Sequence, residues 1–290
     1  MHNYKFGGVI CMKILLITNE HKDKDFLLAN KIVELIGNRA QVFAEEEIKN
    51  NKLSNVSYIG ENQYGEMDIF LVLGGDGTFL SISGIASELD IPVVGVNLGR
   101  LGFLSEIEKE NLAEDIDKLL AEDFKIQERM MLSAEFYGKK ATALNDIVVA
   151  RENSLLKILE FDVYIDDEFV DNFKADGVII STPTGSTAYS LSAGGPIVDP
   201  SMEIMIITPI CPHKMYSRTI IVSKDKKVTV KNCSSDDASA IVAADSQIIG
   251  EISNGESVVI ETSDNNFKLI KLHGFKFFSV LHNKLIKKEN

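Results

Sequence analysis

Apolar and polar positions change their rhythm once along this chain, near residue 125. Before that point, short continuous apolar runs alternate with segments of helical spacing. Ile14–Thr18, Ile69–Leu73 and Ile91–Val96 read as strands, the last entered through Pro92. Continuous apolar runs, rather than alternating ones, suit a parallel sheet covered on both faces. Asp25–Ile36 carries Phe26, Ala29, Ile32, Val33 and Ile36 at helical spacing, with Gly37 as a stop. Asn111–Leu120 repeats the pattern with Leu112, Ile116, Leu119 and Leu120. This rhythm predicts a doubly wound α/β N-terminal domain with a mostly parallel sheet over 1–125. Met12 opens the first strand-like run, so 1–11 reads as a loose extension.

From 126 to 272 the pattern predicts a β-rich C-terminal domain. Ala143–Ala150, Ile158–Ile165, Gly177–Ser181, Ile204–Thr208, Thr219–Val222, Lys227–Lys231, Ala238–Ala243 and Ser257–Thr262 read as strands. A hairpin is expected at Ile165–Phe169 and a turn at Asn254-Gly255. In the last segment, 273–290, Phe277–Leu285 predicts a short helix returning to pack on the first domain.

Composition narrows the function classes. With 45% hydrophobic and 25% charged residues, the chain is an ordinary globular one. It has no apolar run long enough to span a bilayer and no signal-peptide layout at its start. A net charge of −13 argues against nucleic acid or an anionic membrane as partner. Cys11, Cys211 and Cys233 are scattered, without metal-ligand spacing or a disulfide framework, which fits a reducing cytoplasm. Any anionic ligand must therefore be met by local basic groups, backbone N–H groups or a metal ion.

Two segments carry chemistry. In FLVLGGDGTFL, Phe70–Leu80, a strand runs into Gly74, Gly75, Asp76, Gly77 and Thr78, and a helix is expected after them. Such a turn lies at the carboxyl edge of a sheet, where α/β proteins bind ligands. Glycines let a phosphate approach backbone N–H groups. A spectator carboxylate would repel phosphate there, so Asp76 makes sense if it holds a metal ion or accepts a proton from an attacking hydroxyl. Taken alone, Asp76-Gly77 is equally a tight turn. The second segment, Ala175–Pro200, sets Ser181, Thr182, Thr184, Ser186, Thr187, Ser190 and Ser192 among glycines. These small hydroxyls would line a cleft for sugar hydroxyls and phosphates, with Tyr189 as a stacking face. The alternative is a surface loop, although one of this length is uncommon in a compact domain.

Gly74-Gly75-Asp76-Gly77-Thr78, Asn97–Leu104, Asn145-Asp146, Asp176-Gly177, Ser181–Tyr189, Pro212-His213 and Asp245-Ser246-Gln247 resemble, in order, the motif set of the bacterial-type NAD kinase family. The resemblance implies an α/β domain followed by a β-rich one, with the substrate between them. It implies transfer of the terminal phosphate of ATP, or of polyphosphate, to the 2′-hydroxyl of the adenosine ribose of NAD, with Mg²⁺ or a similar divalent cation.

By resemblance Asp76 activates the hydroxyl and Gly77 lies against the dinucleotide. Asn145 and Asp146 match an Asn-acidic pair that holds the substrate. Lys157, Lys174, Asp176 and Gln247 fall at or near family contact positions. Thr187, Ala188, Tyr189, Ser190, Leu191 and Ser192 match the segment that wraps the substrate. Gly74, Gly75, Thr78 and Arg100 are candidates for phosphate, and Arg100 is open to pairing with an acidic residue instead. No metal ligand is assigned. Some family contacts come from a neighbouring subunit, which implies a homodimer or homotetramer. Lipid kinases share the short glycine–aspartate motif, and a non-catalytic NAD-binding regulator is the further alternative.

Overall fold

The computed structural model describes residues 11–18, 22–49, 53–99, 102–151, 158–214, 216–234, 238–274 and 276–286. Strand β1 (Lys13–Ile17) is followed by α1 (Leu27–Ile36), β2 (Gln41–Glu45), β3 (Ser57–Ile59) and β4 (Ile69–Leu73). Next come α2 (Asp76–Glu88), β5 (Val93–Val96), α3 (Leu112–Leu120) and β6 (Lys125–Arg129). The middle of the chain holds β7 (Leu132–Phe136), β8 (Lys139–Ala143), β9 (Asp146–Arg151), β10 (Leu159–Ile165), β11 (Glu168–Ala175) and β12 (Gly177–Ser181). After these come α4 (Tyr189–Ser192), β13 (Ile204–Ile210), β14 (Ile220–Ser223), β15 (Val228–Asn232), β16 (Ala240–Ala244), β17 (Gln247–Ile252) and β18 (Ser257–Thr262). The chain closes with β19 (Phe267–Lys271) and α5 (Phe277–Leu281), which runs on into a wider turn, His282–Ile286.

Two compact units result, Met1–Glu128 with Phe267–Asn290, and Arg129–Asn266. The first holds a seven-stranded sheet in the order β3-β2-β1-β4-β5-β19-β6. The pairings from β3 through to β19 are parallel. β4 and β5 are buried along their whole length, as their unbroken apolar runs require of a sheet covered on both faces. Ile32, Val33 and Ile36 of α1 and Ile116 and Leu119 of α3 pack into the same core as Ile14, Leu16, Leu71 and Leu73. The strand order runs outward from β1 in one direction and from β4 in the other. The crevice between their carboxyl ends is therefore the switch point at which open α/β sheets bind ligands.

The sequence pattern places a domain boundary at 272/273, whereas the compact units divide at 266/267. The difference is β19, which pairs parallel with β5 in the first sheet. Buried polar groups fasten the chain just beyond β19. Glu106 takes Lys271 Nζ at 2.8 Å and the N–H groups of Leu272 and His273 at 3.0 and 2.9 Å. His273 Nε2 lies 2.7 Å from Oδ1 of Asp115, a fully buried residue on α3.

The second unit is a pair of six-stranded sheets, β11-β10-β15-β18-β7-β8 and β14-β13-β12-β9-β16-β17, whose neighbouring strands run antiparallel. Alternate residues of both sheets, such as Phe161 and Val163 on one and Ile147, Val149, Val178 and Ile180 on the other, form one core. The hairpins β10–β11 and β16–β17 turn through Asp166-Asp167 and Asp245-Ser246, all four at positive φ, as type I′ turns demand. The expected strand Ala143–Ala150 is two strands, β8 ending at Ala143 and β9 starting at Asp146. The corner between them carries Asn145.

Replacing Glu106 with Ala removes a buried carboxylate from one ammonium and two backbone N–H groups. We expect a loss of about 3 kcal/mol, the order seen when one partner of a buried pair is deleted. It would be read as a lowered denaturant midpoint for the first unit, and an unchanged midpoint would contradict the anchoring role.

Candidate active site

In the first unit, Gly74 and Gly75 follow β4, and Asp76 is the first residue of α2. The turn therefore sits at the carboxyl end of a fully buried strand, beside the switch-point crevice. The glycines have different tasks. Gly74 is buried, and a side chain there would strike that of Thr78. Gly75 and Gly77 face open space, so the backbone at the turn is approachable. Thr78 donates its N–H to the Gly75 carbonyl at 2.8 Å, and its hydroxyl accepts from Lys22 Nζ at 2.7 Å. Lys22 comes from the segment after β1, across the crevice.

The half-buried Asp76 carboxylate is held on both oxygens. Oδ1 accepts the N–H groups of Phe103 and Leu104 at 3.2 and 3.4 Å. Oδ2 lies 3.2 Å from Lys284 Nζ, on the chain's last turn of helix. The loop approaches so closely that any side chain at Gly102 would collide with Asp76 Oδ1. The loop belongs to the Asn97–Leu104 motif, whereas neither Lys284 nor Lys22 is apparent from the sequence motifs.

In the second unit one edge of a sheet gathers the other candidates. Register sets Asp146 beside Ser181, and Ala244 beside both Ile147 and Gln247. Asn145, Asp146, Asp245, Gln247 and the start of the hydroxyl-rich segment thus share one end of β9, β12, β16 and β17. Asp245 organises this edge. Its carboxylate accepts the N–H groups of Leu144, Asn145 and Asp146 at 2.7, 2.7 and 3.3 Å. Burial pushes the Asp245 carboxyl up, and those three N–H groups pull it back down. Asp146 has no such relief: burial, then the neighbouring Asp245, push it up to about 7.

The hydroxyls of the long segment largely serve the fold, which corrects the expectation that they line a cleft. Ser181, Thr182, Ser186 and Ser190 are fully buried. Thr182 Oγ1 donates to the Leu144 carbonyl at 2.6 Å and accepts the Gly185 N–H at 3.0 Å. Ser186 Oγ donates to the Pro183 carbonyl at 2.7 Å and accepts the Val198 N–H at 3.1 Å. Ser190 Oγ pairs with Thr208 Oγ1 at 3.2 Å. Gly185 runs so close to the Asn145 carbonyl that no side chain fits there, so the segment is stapled to the Asn145 corner.

What this leaves for a ligand is the tip: Thr187, Ala188 and Leu191 half-exposed, with Tyr189 and Ser192 exposed. Tyr189 is 46% exposed, so its ring can be stacked upon. Burial of the phenol, and then the charges of Cys211, Asp176 and Asp146, raise its pKa.

Lys174 lies on β11 in the other sheet, and Asp176 just before β12. Gly177 pairs with Ala150 while Ser181 pairs with Asp146, so Asp176 is a strand length, about 15 Å, from Asp146. Lys174 is paired with Glu160 at 2.6 Å and Asp176 with Arg151 at 3.1 Å. Arg100 and Lys157 lie outside the described residues. Among the described residues there is no group of three His, Cys, Asp or Glu side chains able to hold a metal ion.

A parallel α/β unit with a carboxylate in a glycine turn at its switch point, joined in one chain to an antiparallel β-sandwich with a polar edge, suits a two-domain kinase. Comparison with known proteins agrees. Residues 14–124 match the ATP-NAD kinase N-terminal domain, and residues 144–272 match the ATP-NAD kinase C-terminal domain. NAD kinases of Agathobacter rectalis and Acetivibrio thermocellus are each 38% identical, over 93% and 94% of this chain and 97% of each relative. The chain belongs to the NAD kinase family.

Among solved structures, yeast NADH kinase complexed with NADH shares the fold at a TM-score of 0.82 and 22% identity, over 96% of this chain and 88% of that one. An NAD kinase from Archaeoglobus fulgidus in complex with ATP matches at 0.71 and 26%, over 94% and 98%.

The raised Asp146 carboxyl has a pH signature. Its folded pKa of about 7 exceeds the ordinary value of about 4. The folded state therefore binds the extra proton, and this stabilising contribution is full below about pH 4 and lost as pH rises through 7. Asp245 shifts in the same direction. Denaturant midpoints between about pH 5 and 8 should fall more steeply for the wild type than for Asp146→Asn; equal slopes would contradict the assignment.

Proposed function

We propose that this chain transfers the terminal phosphoryl group of ATP to the 2′-hydroxyl of the adenosine ribose of NAD, giving NADP, with Asp76 as the group that orients the hydroxyl and takes its proton. Membership of the NAD kinase family supports the reaction. The observation that carries the role of Asp76 is its mounting: a carboxylate fixed by two loop N–H groups on a rigid strand, amid backbone stripped of side chains. Phosphoryl transfer is mostly positioning and charge neutralisation, and a fixed carboxylate meets the first need.

Asn145 and Asp146 would hold the dinucleotide. Near pH 7 Asp146 is poised between its two forms, so it can both donate and accept a hydrogen bond with a sugar hydroxyl. Tyr189 would stack on a ring, and Thr187, Ala188, Leu191, Ser192 and Gln247 would border the ligand. Lys174, on the other sheet, and Asp176, a strand length from Asp146, suit contacts to a ligand held by a neighbouring subunit, and so a homodimer or homotetramer. The scattered cysteines suit a cytoplasmic setting, and among the described residues no helix is long and apolar enough to cross a membrane.

A divalent cation such as Mg²⁺ fits this donor set only as a passenger of the triphosphate. A single carboxylate, Asp76, stands at the turn, and Mg²⁺ is commonly held by one or two carboxylates plus substrate phosphates. Bound there, it would offset phosphate charge in a protein of net charge −13.

The test is an assay of purified chain with Mg²⁺, ATP and NAD, following NADP with a coupled dehydrogenase. Asp76→Asn should keep NAD binding within about twofold while turnover falls by about 10³ or more, a loss at the upper end of general-base contributions. Full activity in that variant would remove Asp76 from the mechanism. Absence of NADP from the wild type would turn attention to lipid acceptors or to binding alone.

A further inference from the structure

We propose that Lys284, on the C-terminal segment, is a catalytic residue that carries its ammonium from Asp76 to the transferring phosphoryl group of ATP. The proposal rests on the proposed reaction and deepens it by placing a contact to the donor. Four observations support it. Lys284 Nζ is 3.2 Å from Asp76 Oδ2, the oxygen the loop reaches only through the 3.5 Å contact from the Phe103 N–H. The same ammonium sits 4.3 Å from the centroid of the Phe103 ring. Phe103 in turn contacts Phe277, at the start of α5, with centroids 5.9 Å apart. Upstream, Glu106 and Asp115 hold Leu272 and His273, so the segment that presents Lys284 is tied to the sheet.

Distance decides what this ammonium can reach. A hydroxyl giving its proton to Asp76 lies about 2.7 Å from a carboxylate oxygen, and the phosphorus it attacks about 3 to 3.5 Å further on. The phosphorus is then within about 6 Å of Oδ2. A lysine side chain hinged on a helix, with its ammonium already on that carboxylate, spans such a gap by rotation about its stem. Lys22, 2.7 Å from Thr78 Oγ1, brings a second cation to the same turn, so positive charge gathers there in an acidic protein.

In the transfer step, the 2′-oxygen forms a bond to the γ-phosphorus as the bond from that phosphorus to the β,γ-bridging oxygen breaks, and ADP leaves with the electron pair. The hydroxyl proton passes to Asp76. Neutralising Asp76 ends its hold on Lys284 as the phosphoryl group arrives, so the ammonium is released to the phosphoryl oxygens. Lys284 stays protonated throughout. Positive groups aimed at a transferring phosphoryl group act mainly in the transition state.

The experiment uses the full chain with Lys284→Met and Lys284→Arg, measuring steady-state kinetics, calorimetric binding of MgATP and of NAD, and Tm. Expected for Lys284→Met are a kcat lowered by about 10- to 100-fold, weaker MgATP binding, and NAD affinity and Tm close to wild type. Lys284→Arg should recover part of both losses. The proposal is overturned if Lys284→Met keeps kcat and MgATP affinity within about twofold. It is equally overturned if NAD and MgATP affinity fall together with Tm and Arg gives no rescue, because that is a structural role. Should the wild type form no NADP, the proposed reaction fails on its own, and selective loss of MgATP binding in Lys284→Met still supports Lys284 as the triphosphate contact.

Discussion

In the proposed reaction Asp76 has to stand beside the place where phosphate enters and yet stay still. A carboxylate so placed is repelled by the ligand it serves, and in a mobile loop it would turn away. The fold answers with a strand of five buried residues behind it, a helix beginning at it, and the N–H groups of Phe103 and Leu104 on one oxygen. Much else in the first unit stems from that need. Gly102 lacks a side chain because the loop must close on the carboxylate, and Gly74 lacks one because Thr78 packs there. The last segment of the chain returns to the first sheet through β19 and brings Lys284 to the other oxygen.

The second unit obeys a parallel constraint with different means. Its Asn145 corner carries the chain from β8 in one sheet to β9 in the other, and such a corner leaves N–H groups that need acceptors. Asp245 supplies one carboxylate to three of them from a hairpin whose two central residues sit at positive φ. That hairpin conformation is costly for residues other than glycine, and the hydrogen bonds of Asp245 offset the cost. Burial first, and then the carboxyl of Asp245 held beside it, push Asp146 up to about 7. A polar edge that is rigid, and poised between donor and acceptor, is a fitting surface for ribose hydroxyls.

Much of this is legible in the sequence where local pattern carries the information. The buried runs of β4 and β12 match the structure residue for residue, because nothing but a fully covered strand suits them. The glycines around Asp76 mark the turn, since bare backbone next to a carboxylate has few structural uses. The limits come where meaning depends on distant partners. Whether a serine faces a ligand or staples the chain is decided by what lies opposite it, and Ser186 and Ser190 bond Val198 and Thr208. Lys284 lies 208 residues from Asp76, and its sequence neighbours Asn283 and Leu285 resemble any surface helix end. The pattern boundary at 272 groups β19 with the strands before it, while its pairing with β5 joins it to the first sheet. Asp245 belongs to a recognisable motif, but its role as holder of the Asn145 corner requires the register of β9 and β16.

The central claim is that Asp76 meets the acceptor hydroxyl. A crystal structure of the full chain with NAD and a non-hydrolysable ATP analogue tests it most directly, through one distance. The account predicts the adenosine 2′-oxygen at about 2.6 to 3.2 Å from an Asp76 carboxylate oxygen, the range for a proton acceptor in place. A well-ordered NAD whose 2′-oxygen lies beyond about 4.5 Å, with no single water between, would contradict it.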